Sequence, residues 1–282
     1  MGGSDWRVFG DAGELRGIEP GDRGLAYGDS LFETMRAHRG DVPWWDAHWD
    51  RLQLGAARLG IRLPVQARVR EQACALLEGA DAVLRLQVTR GVGGRGYAPP
   101  KDARPNWILA RHPLPPAPPV AGLHLRWCTT RLALQPALAG IKHGNRLEQV
   151  LARAEWDAPD AVDPAADDGL MCSTDGDVVG ATAANLFVLA DGRWSTPPVD
   201  RCGVAGVARR WLLDHFDIEQ RRLAPADVET ADAVVLSNAV RGILPVARLG
   251  ERRWPLHPQV REWRQRLARA HPAFPPIAPE MP

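Results

Sequence analysis

The order of apolar and polar positions along the chain predicts an α+β mixture. Arg7-Val8-Phe9 and Ser30–Ala37 have strand character, whereas Trp44–Leu59 and Val69–Leu77 carry apolar residues at helical spacing. Ala82–Thr89 (AVLRLQVT) reads as a buried strand closed by the glycine-rich run 91–96, and 106–110 as another strand. The proline-dense stretch 112–121 is extended and stiff and reads as a linker. Beyond it, strands are expected at 123–129, 169–172, 178–188 and 233–237, with helices over 145–156 and 206–216. Turns are expected at Thr174–Asp177 and Asp191-Gly192. This divides the chain into a smaller N-terminal domain (1–111), the linker (112–121), a larger C-terminal domain (122–272) and a tail (273–282).

Composition narrows the class of protein. The chain has 282 residues, 45% of them hydrophobic and 24% charged, enough for a substantial core. A formal net charge of +1 gives no electrostatic case for a nucleic-acid or membrane-surface partner. No stretch approaches the roughly 20 apolar residues of a membrane span, and the first residues lack the basic start and apolar core of a signal peptide. Cys74, Cys128, Cys172 and Cys202 lie far apart with no CxxC pair, which argues against a disulfide framework or a metal site. The expectation is a soluble cytoplasmic enzyme. One bias is informative: of 35 basic residues only Lys101 and Lys142 are lysines. A lysine retained in such a chain is a candidate for work arginine cannot do, such as acting as a neutral amine nucleophile or base.

Four segments carry candidate chemistry. In Gly140-Ile-Lys142-His-Gly-Asn-Arg-Leu147 the lysine sits just ahead of a helix beside an apolar residue and glycines. Apolar surroundings favour the neutral amine, although position alone fits an exposed lysine equally well. The glycine-flanked stretch 200–209 feeds a helix and offers backbone N–H groups to an anion. Arg51, in His48-Trp-Asp-Arg51-Leu52, could clamp an anion from a helix or simply be solvated. Thr89-Arg-Gly-Val-Gly-Gly-Arg-Gly-Tyr97 sets two arginines and a tyrosine on a glycine loop, suited to a carboxylate or to plain solvent exposure. The loop leads toward a strand, so it is not a dinucleotide fingerprint.

Taken together, these strings resemble a known family. Arg23-Gly-Leu-Ala-Tyr-Gly28-Asp29-Ser-Leu-Phe32-Glu33-Thr34, His48-x-x-Arg51-Leu52, Thr89–Tyr97, Ile141-Lys142-His-x-Asn145-Arg146-Leu147-Glu148, Ala184-Asn185-Leu186-Phe187 and Ser237-Asn238-Ala239 occur in order between about Gly21 and Val246. They look like the pyridoxal-phosphate enzymes of the branched-chain aminotransferase fold (class IV, fold type IV). Within these, the Lys-His-x-Asn-Arg-Leu-Glu and Arg-Gly-x-Gly-Gly-Arg-Gly-Tyr strings look like the aminodeoxychorismate lyases. The resemblance implies two α+β domains with the cofactor between them, and a homodimer. It makes Lys142 the Schiff-base lysine and Thr34 an assistant in elimination. It gives the cofactor to Arg51, Lys142, Val207, Ala208, Asn238 and Ala239, and makes Arg90, Arg95, Tyr97 and Arg146 candidates for the carboxylates of a substrate such as 4-amino-4-deoxychorismate. No metal is implied.

The chain departs from the family at Gly180, where a glutamate normally pairs with the pyridine nitrogen and keeps the ring electron-accepting. Glycine cannot do this. An elimination that produces an aromatic ring draws its driving force from aromatisation and tolerates the loss, whereas transamination must store an electron pair in the cofactor. The lyase is therefore the expected activity. A branched-chain or D-amino-acid aminotransferase, a lyase in which Lys142 works as a bare base, and a family member without catalysis stay open.

Overall fold

Two-residue alternation in Ser30–Ala37 sets up the first half of the chain. Leu31, Glu33, Met35 and Ala37 are buried, and Phe32, Thr34 and Arg36 are only partly so, as a strand with one face on a helix requires. The structure is a computed structural model that describes residues 5–158 and 163–274. The chain divides into two units, one of Met1–Pro115 with Ile141–Asn145 and one of Pro116–Gly140 with Arg146–Pro282. The change at Pro115/Pro116 falls in the proline-dense stretch. Lys142 groups with the first unit rather than with the C-terminal domain in which the sequence reading placed it. The reason is backbone pairing with Ser30–Phe32, described below.

In the first unit the elements are β1 (Asp5–Gly10), β2 (Gly13–Leu15), α1 (Arg23–Tyr27), β3 (Ser30–Ala37), α2 (Trp45–Leu59), α3 (Gln66–Leu77), β4 (Ala82–Thr89) and β5 (Trp107–His112). The five strands form one sheet in the order β2-β1-β5-β4-β3, leaving β3 at an edge. β3 and β4 are antiparallel in an unbroken register from Ser30↔Thr89 to Ala37↔Ala82. Trp45, His48, Trp49, Leu52, Gly55 and Ala56 line the buried stripe of α2 at the three- and four-residue spacing of one helix face. Fully buried Leu84, Leu86 and Leu109 fill the sheet centre.

The second unit contains β6 (Leu123–Trp127), α4 (Leu147–Ala154), β7 (Asp168–Cys172), β8 (Val178–Ala181), β9 (Asn185–Ala190), β10 (Arg193–Thr196), α5 (Val207–His215), β11 (Ile218–Gln220), α6 (Pro225–Glu229), β12 (Ala233–Asn238), β13 (Gly242–Leu249), β14 (Arg252–Arg253) and α7 (Pro258–Ala270). Eight of these strands follow the order β11-β10-β9-β12-β13-β6-β7-β8, and β14 pairs with β13. Leu125, Leu170, Leu186, Val188 and Leu236 form the core. Asp191 and Gly192, at φ of 50° and 72°, make the tight turn between β9 and β10.

The strand expected over 178–188 is two strands. The Ala181 amide donates to the Ala184 carbonyl at 2.8 Å, and the Thr182 hydroxyl and amide donate to Asp168, so the chain turns between them. Burial raises the Asp168 carboxyl above its ordinary range, opposed by these donors. The helix expected over 145–156 is shorter, at Leu147–Ala154. Most of the expected tail, from 275 onward, lies outside the described residues. Among the described residues no helix is long and apolar enough to cross a membrane.

Candidate active site

Lys142 is placed by the open edge of the first sheet. The Phe32 amide donates to the Lys142 carbonyl at 2.9 Å and the Gly144 amide to the Ser30 carbonyl at 2.7 Å, with Leu31 and His143 bridged antiparallel. The segment thus continues the sheet beyond β3 and fixes the lysine backbone against Phe32. The side chain then lies on the partly exposed face of β3, its Nζ 4.4 Å from the centroid of the Phe32 ring.

That face is rich in cations. Thr34 lies between Phe32 and Arg36 on it, and across the ladder Thr34 pairs with Arg85 and Phe32 with Gln87. The Arg85 guanidinium sits 4.6 Å from the same Phe32 ring and donates to Gln87 Oε1 at 3.2 Å. Burial pulls the Arg85 and Arg36 guanidinium groups below their usual range, with Asp81 opposing this only at Arg36. The Arg85 Nε is buried and makes no hydrogen bond among the described residues. Such a face is poised for an anion.

The buried face carries the matching negative charge. Glu33 accepts from His48 Nδ1 at 2.6 Å and from Arg51 Nε at 2.8 Å, and also from Arg51 Nη2. His48 and Arg51 stand one turn apart on α2, so one carboxylate holds both. Burial alone would raise the Glu33 carboxyl, but Arg51 and His48 outweigh it and hold it at about 2. Burial also lowers His48 more than Glu33 raises it, with Arg51 and Lys142 adding to the depression. A neutral His48 donates through Nδ1, which leaves its buried Nε2 as an acceptor with no hydrogen-bond partner among the described residues.

The remaining candidates in this unit separate into two groups. Arg90, expected to meet substrate, is spent on structure. Its Nε and Nη2 grip Asp29 at 2.6 and 3.0 Å, and its other contacts are the carbonyls of Gly60 and Leu59, both at 2.7 Å. With the guanidinium buried and its fork filled, Arg90 has nothing to offer a carboxylate. Arg95 and Tyr97, on the same loop, are exposed, Tyr97 to 87%.

In the second unit, α5 begins at Gly206 with no side-chain cap, so the amides of Val207 and Ala208 stand at an open helix N-terminus. Asn185 Nδ2 donates to the Val204 carbonyl at 2.9 Å and steadies the approach to that helix. Asn238, expected at the cofactor, uses its Oδ1 to accept from the Val240 and Arg241 amides at 3.1 and 2.8 Å. That oxygen shapes the turn around Ala239, which follows β12. Arg146 is half-buried at the start of α4.

The profile of the family described as amino-transferase class IV matches residues 30–249. The chain belongs to that family. It is similar to the aminodeoxychorismate lyase of Vibrio harveyi, at 35% identity over 80% of this chain and 85% of that one. It is also similar to a provisionally named branched-chain-amino-acid aminotransferase of Methanocaldococcus jannaschii, at 30% identity over 82% of each. Among solved structures, 4-amino-4-deoxychorismate lyase from Pseudomonas aeruginosa superposes with a TM-score of 0.85 at 40% identity, covering 94% of this chain and 99% of that one. The fold class read from the sequence is that of these relatives.

Class IV enzymes use pyridoxal phosphate, and the residues present fit the two ends of that molecule. In the first unit Lys142 offers an amine and Arg51 a guanidinium; taken by itself, the second unit offers an anion the open amides of α5. The ring nitrogen is another matter. Gly180 is buried in β8, and a Cβ built there would lie 2.8 Å from the Ala184 carbonyl oxygen. The position lacks a carboxylate and, as the backbone runs, lacks room for one.

Sequence reading missed Glu33, Arg36, Arg85 and the acceptor role of His48. The period-two alternation of β3 and β4 was the available signal, because it sets Thr34, Arg36 and Arg85 on one face once the register is known.

The Glu33 cluster generates a prediction. Removing the carboxylate leaves Arg51 buried without its counter-charge, so Glu33→Gln should cost roughly 3–5 kcal/mol in thermal or urea unfolding. Glu33 titrates near 2 in the fold and near 4.5 unfolded, so its contribution is complete above about 4.5 and lost as pH falls toward 2. His48, also depressed, adds a loss that begins as pH drops below about 6.5. The variant should lack the lower of these two acid transitions while keeping the upper one.

Proposed function

We propose that this chain is a 4-amino-4-deoxychorismate lyase, releasing pyruvate and 4-aminobenzoate on the route to folate. The observation that carries the reading is Gly180. A site with neither a carboxylate nor space for one at the position that normally faces the cofactor nitrogen is poorly equipped for transamination. The lyase reaction needs less from it, because loss of the C4 proton and of the enolpyruvyl oxygen leaves an aromatic ring. The 35–40% identity to lyases over most of the chain supports the same choice.

The substrate carries two carboxylates, and the β3–β4 face offers Arg85 and Arg36 beside Thr34. Arg95, Tyr97 and Arg146 are the further candidates for substrate. Pyridoxal phosphate, when bound, supplies electron withdrawal at the carbon bearing the substrate amine. Arg51 and the amides of Val207, Ala208 and Ala239 are the residues assigned to its phosphate, and Lys142 is the residue assigned to its carbonyl carbon.

Lys142, as the free amine, takes the proton from C4. The electron pair of that C–H bond closes the ring double bond as the C–O bond to the enolpyruvyl group breaks. The Thr34 hydroxyl, or water held by it, returns a proton to the departing enolpyruvate, which becomes pyruvate. The aromatic Phe32 face keeps the amine out of bulk water on one side and favours transfer.

A homodimer is part of the proposal. Leu147, Val150 and Leu151 make an exposed apolar stripe on α4 at 75%, 59% and 60% exposure, which a second copy would cover.

Dialysed protein given aminodeoxychorismate, with and without pyridoxal phosphate, should release fluorescent 4-aminobenzoate in the cofactor's presence. Lys142→Ala should reduce that release by roughly a thousand-fold. Amino-group transfer to a 2-oxo acid without 4-aminobenzoate would establish the aminotransferase reading instead. In sedimentation the wild type should run as a dimer and Leu151→Glu should shift toward monomer; a wild-type monomer with full activity would remove the dimer.

A further inference from the structure

The loop that carries Arg95 and Tyr97 ought to be floppy. Four of its residues from 91 to 96 are glycines, each with many backbone states to lose on ordering. Yet both ends of the loop are tied to one residue outside it. The backbone amide of Arg23, the first residue of α1, donates to the Gly91 carbonyl at 2.9 Å. Its side chain reaches the other end, where Nη1 donates to the Gly96 carbonyl at 2.9 Å and Nη2 to the Tyr97 carbonyl at 3.1 Å.

Arg23 is itself immobilised. Only 4% of it is exposed, and its Nε is anchored to Asp29 Oδ2 at 3.0 Å. The same Asp29 is gripped from its other side by Arg90. Burial raises the Asp29 carboxyl, but the two arginines outweigh this and keep it below its ordinary range. Tyr27, on the next turn of α1, completes the clamp. Its ring lies 4.7 Å from the Arg23 guanidinium carbon, its hydroxyl accepts from the Gly96 amide at 3.1 Å, and it meets the Tyr97 ring edge-on at 5.7 Å. Midway along, the loop lies so close to the Arg23 stem that a Cβ on Gly93 would sit 2.7 Å from its Cδ.

We infer that Arg23, with Tyr27, is a positioning residue. It holds the glycine loop in one conformation so that Arg95 and Tyr97 are presented to the substrate carboxylate already ordered. This rests on the assignment of Arg95 and Tyr97 to substrate in the lyase reading. It follows that Gly93 serves close approach to Arg23, that Gly91 and Gly96 serve the positive φ the clamped path requires, and that Arg90 acts on the reaction through the structure it holds, Asp29 included. A preordered loop spares the binding step its ordering entropy, so losing the clamp should weaken substrate capture more than it slows chemistry.

The test compares wild type, Arg23→Lys, Tyr27→Phe, Arg95→Ala and the Arg23→Lys/Arg95→Ala double variant. Lysine keeps the charge but has no planar fork to span two carbonyls. Two readouts are taken. The first is hydrogen exchange at the amides of Gly93, Gly94 and Gly96 without substrate. The second is steady-state release of 4-aminobenzoate, resolved into kcat and KM. Arg23→Lys should speed loop exchange about ten-fold or more. It should also raise KM about ten-fold while kcat moves less than about two-fold. The double variant should be little worse than Arg95→Ala, because a displaced Arg95 has nothing further to lose.

Faster loop exchange with an unchanged KM, or fully additive effects in the double variant, would overturn the inference and leave the lyase reading standing. If Arg23→Lys does not fold, Tyr27→Phe carries the same two readouts in a milder change. If the wild type releases no 4-aminobenzoate, the lyase reading falls. The clamp is then judged by the exchange at Gly93–Gly96 alone, and unaltered exchange in Tyr27→Phe removes it.

Discussion

Much of the first unit's chemistry depends on the pairing of residues 141–145 with the open edge of β3. Two hydrogen bonds, from Phe32 to Lys142 and from Gly144 to Ser30, add the lysine segment to a sheet whose strands lie far from it in sequence. An edge strand left bare is a liability that proteins usually cover or charge. Here the cover carries Lys142, the amine proposed above as the reactive one. The pairing fixes the backbone of Lys142, and the pleat of β3 then decides what the side chain meets: the ring of Phe32, with Thr34 and Arg36 further along the same face.

The same pleat sorts charge. Positions that alternate outward carry Arg36 and, across the ladder, Arg85; the position that alternates inward carries Glu33. The inward carboxylate is satisfied twice over by His48 and Arg51, which turns a costly buried charge into a rigid junction between α2 and β3. The outward guanidinium groups are desolvated, Arg36 with Asp81 opposing the effect, and such a face favours an anion, as the proposed substrate would be. In the proposed lyase reading Gly180 is tolerated, because a reaction driven by aromatisation asks less of the ring nitrogen than transamination does.

Local signals in the sequence were enough for β3 and β4, whose limits match the alternating and apolar runs to the residue, and for the stripe of α2. Lys142 stood out because only one other lysine exists. What stayed hidden depended on partners distant in sequence. Arg90 looks like a ligand residue until Asp29, 61 residues away, is seen in its grip. β13 was obscured by Pro245, which reads as a breaker; its missing N–H is tolerated because pairing with β6 begins only at Val246. The narrow stripe of α7 (Val260, Trp263 and Leu267) is diluted by arginines and gives a weak periodic signal.

The claim beneath all of this is that Lys142, held on the edge of β3, is the amine that meets the cofactor. The most direct measurement is borohydride reduction of the pyridoxal-phosphate-loaded protein, followed by digestion and mass mapping. With only two lysines in the chain the outcome is unambiguous. The account predicts the cofactor on the peptide containing Lys142 and none on the peptide containing Lys101. Label on Lys101 alone, or on neither lysine in protein that releases 4-aminobenzoate, would contradict it.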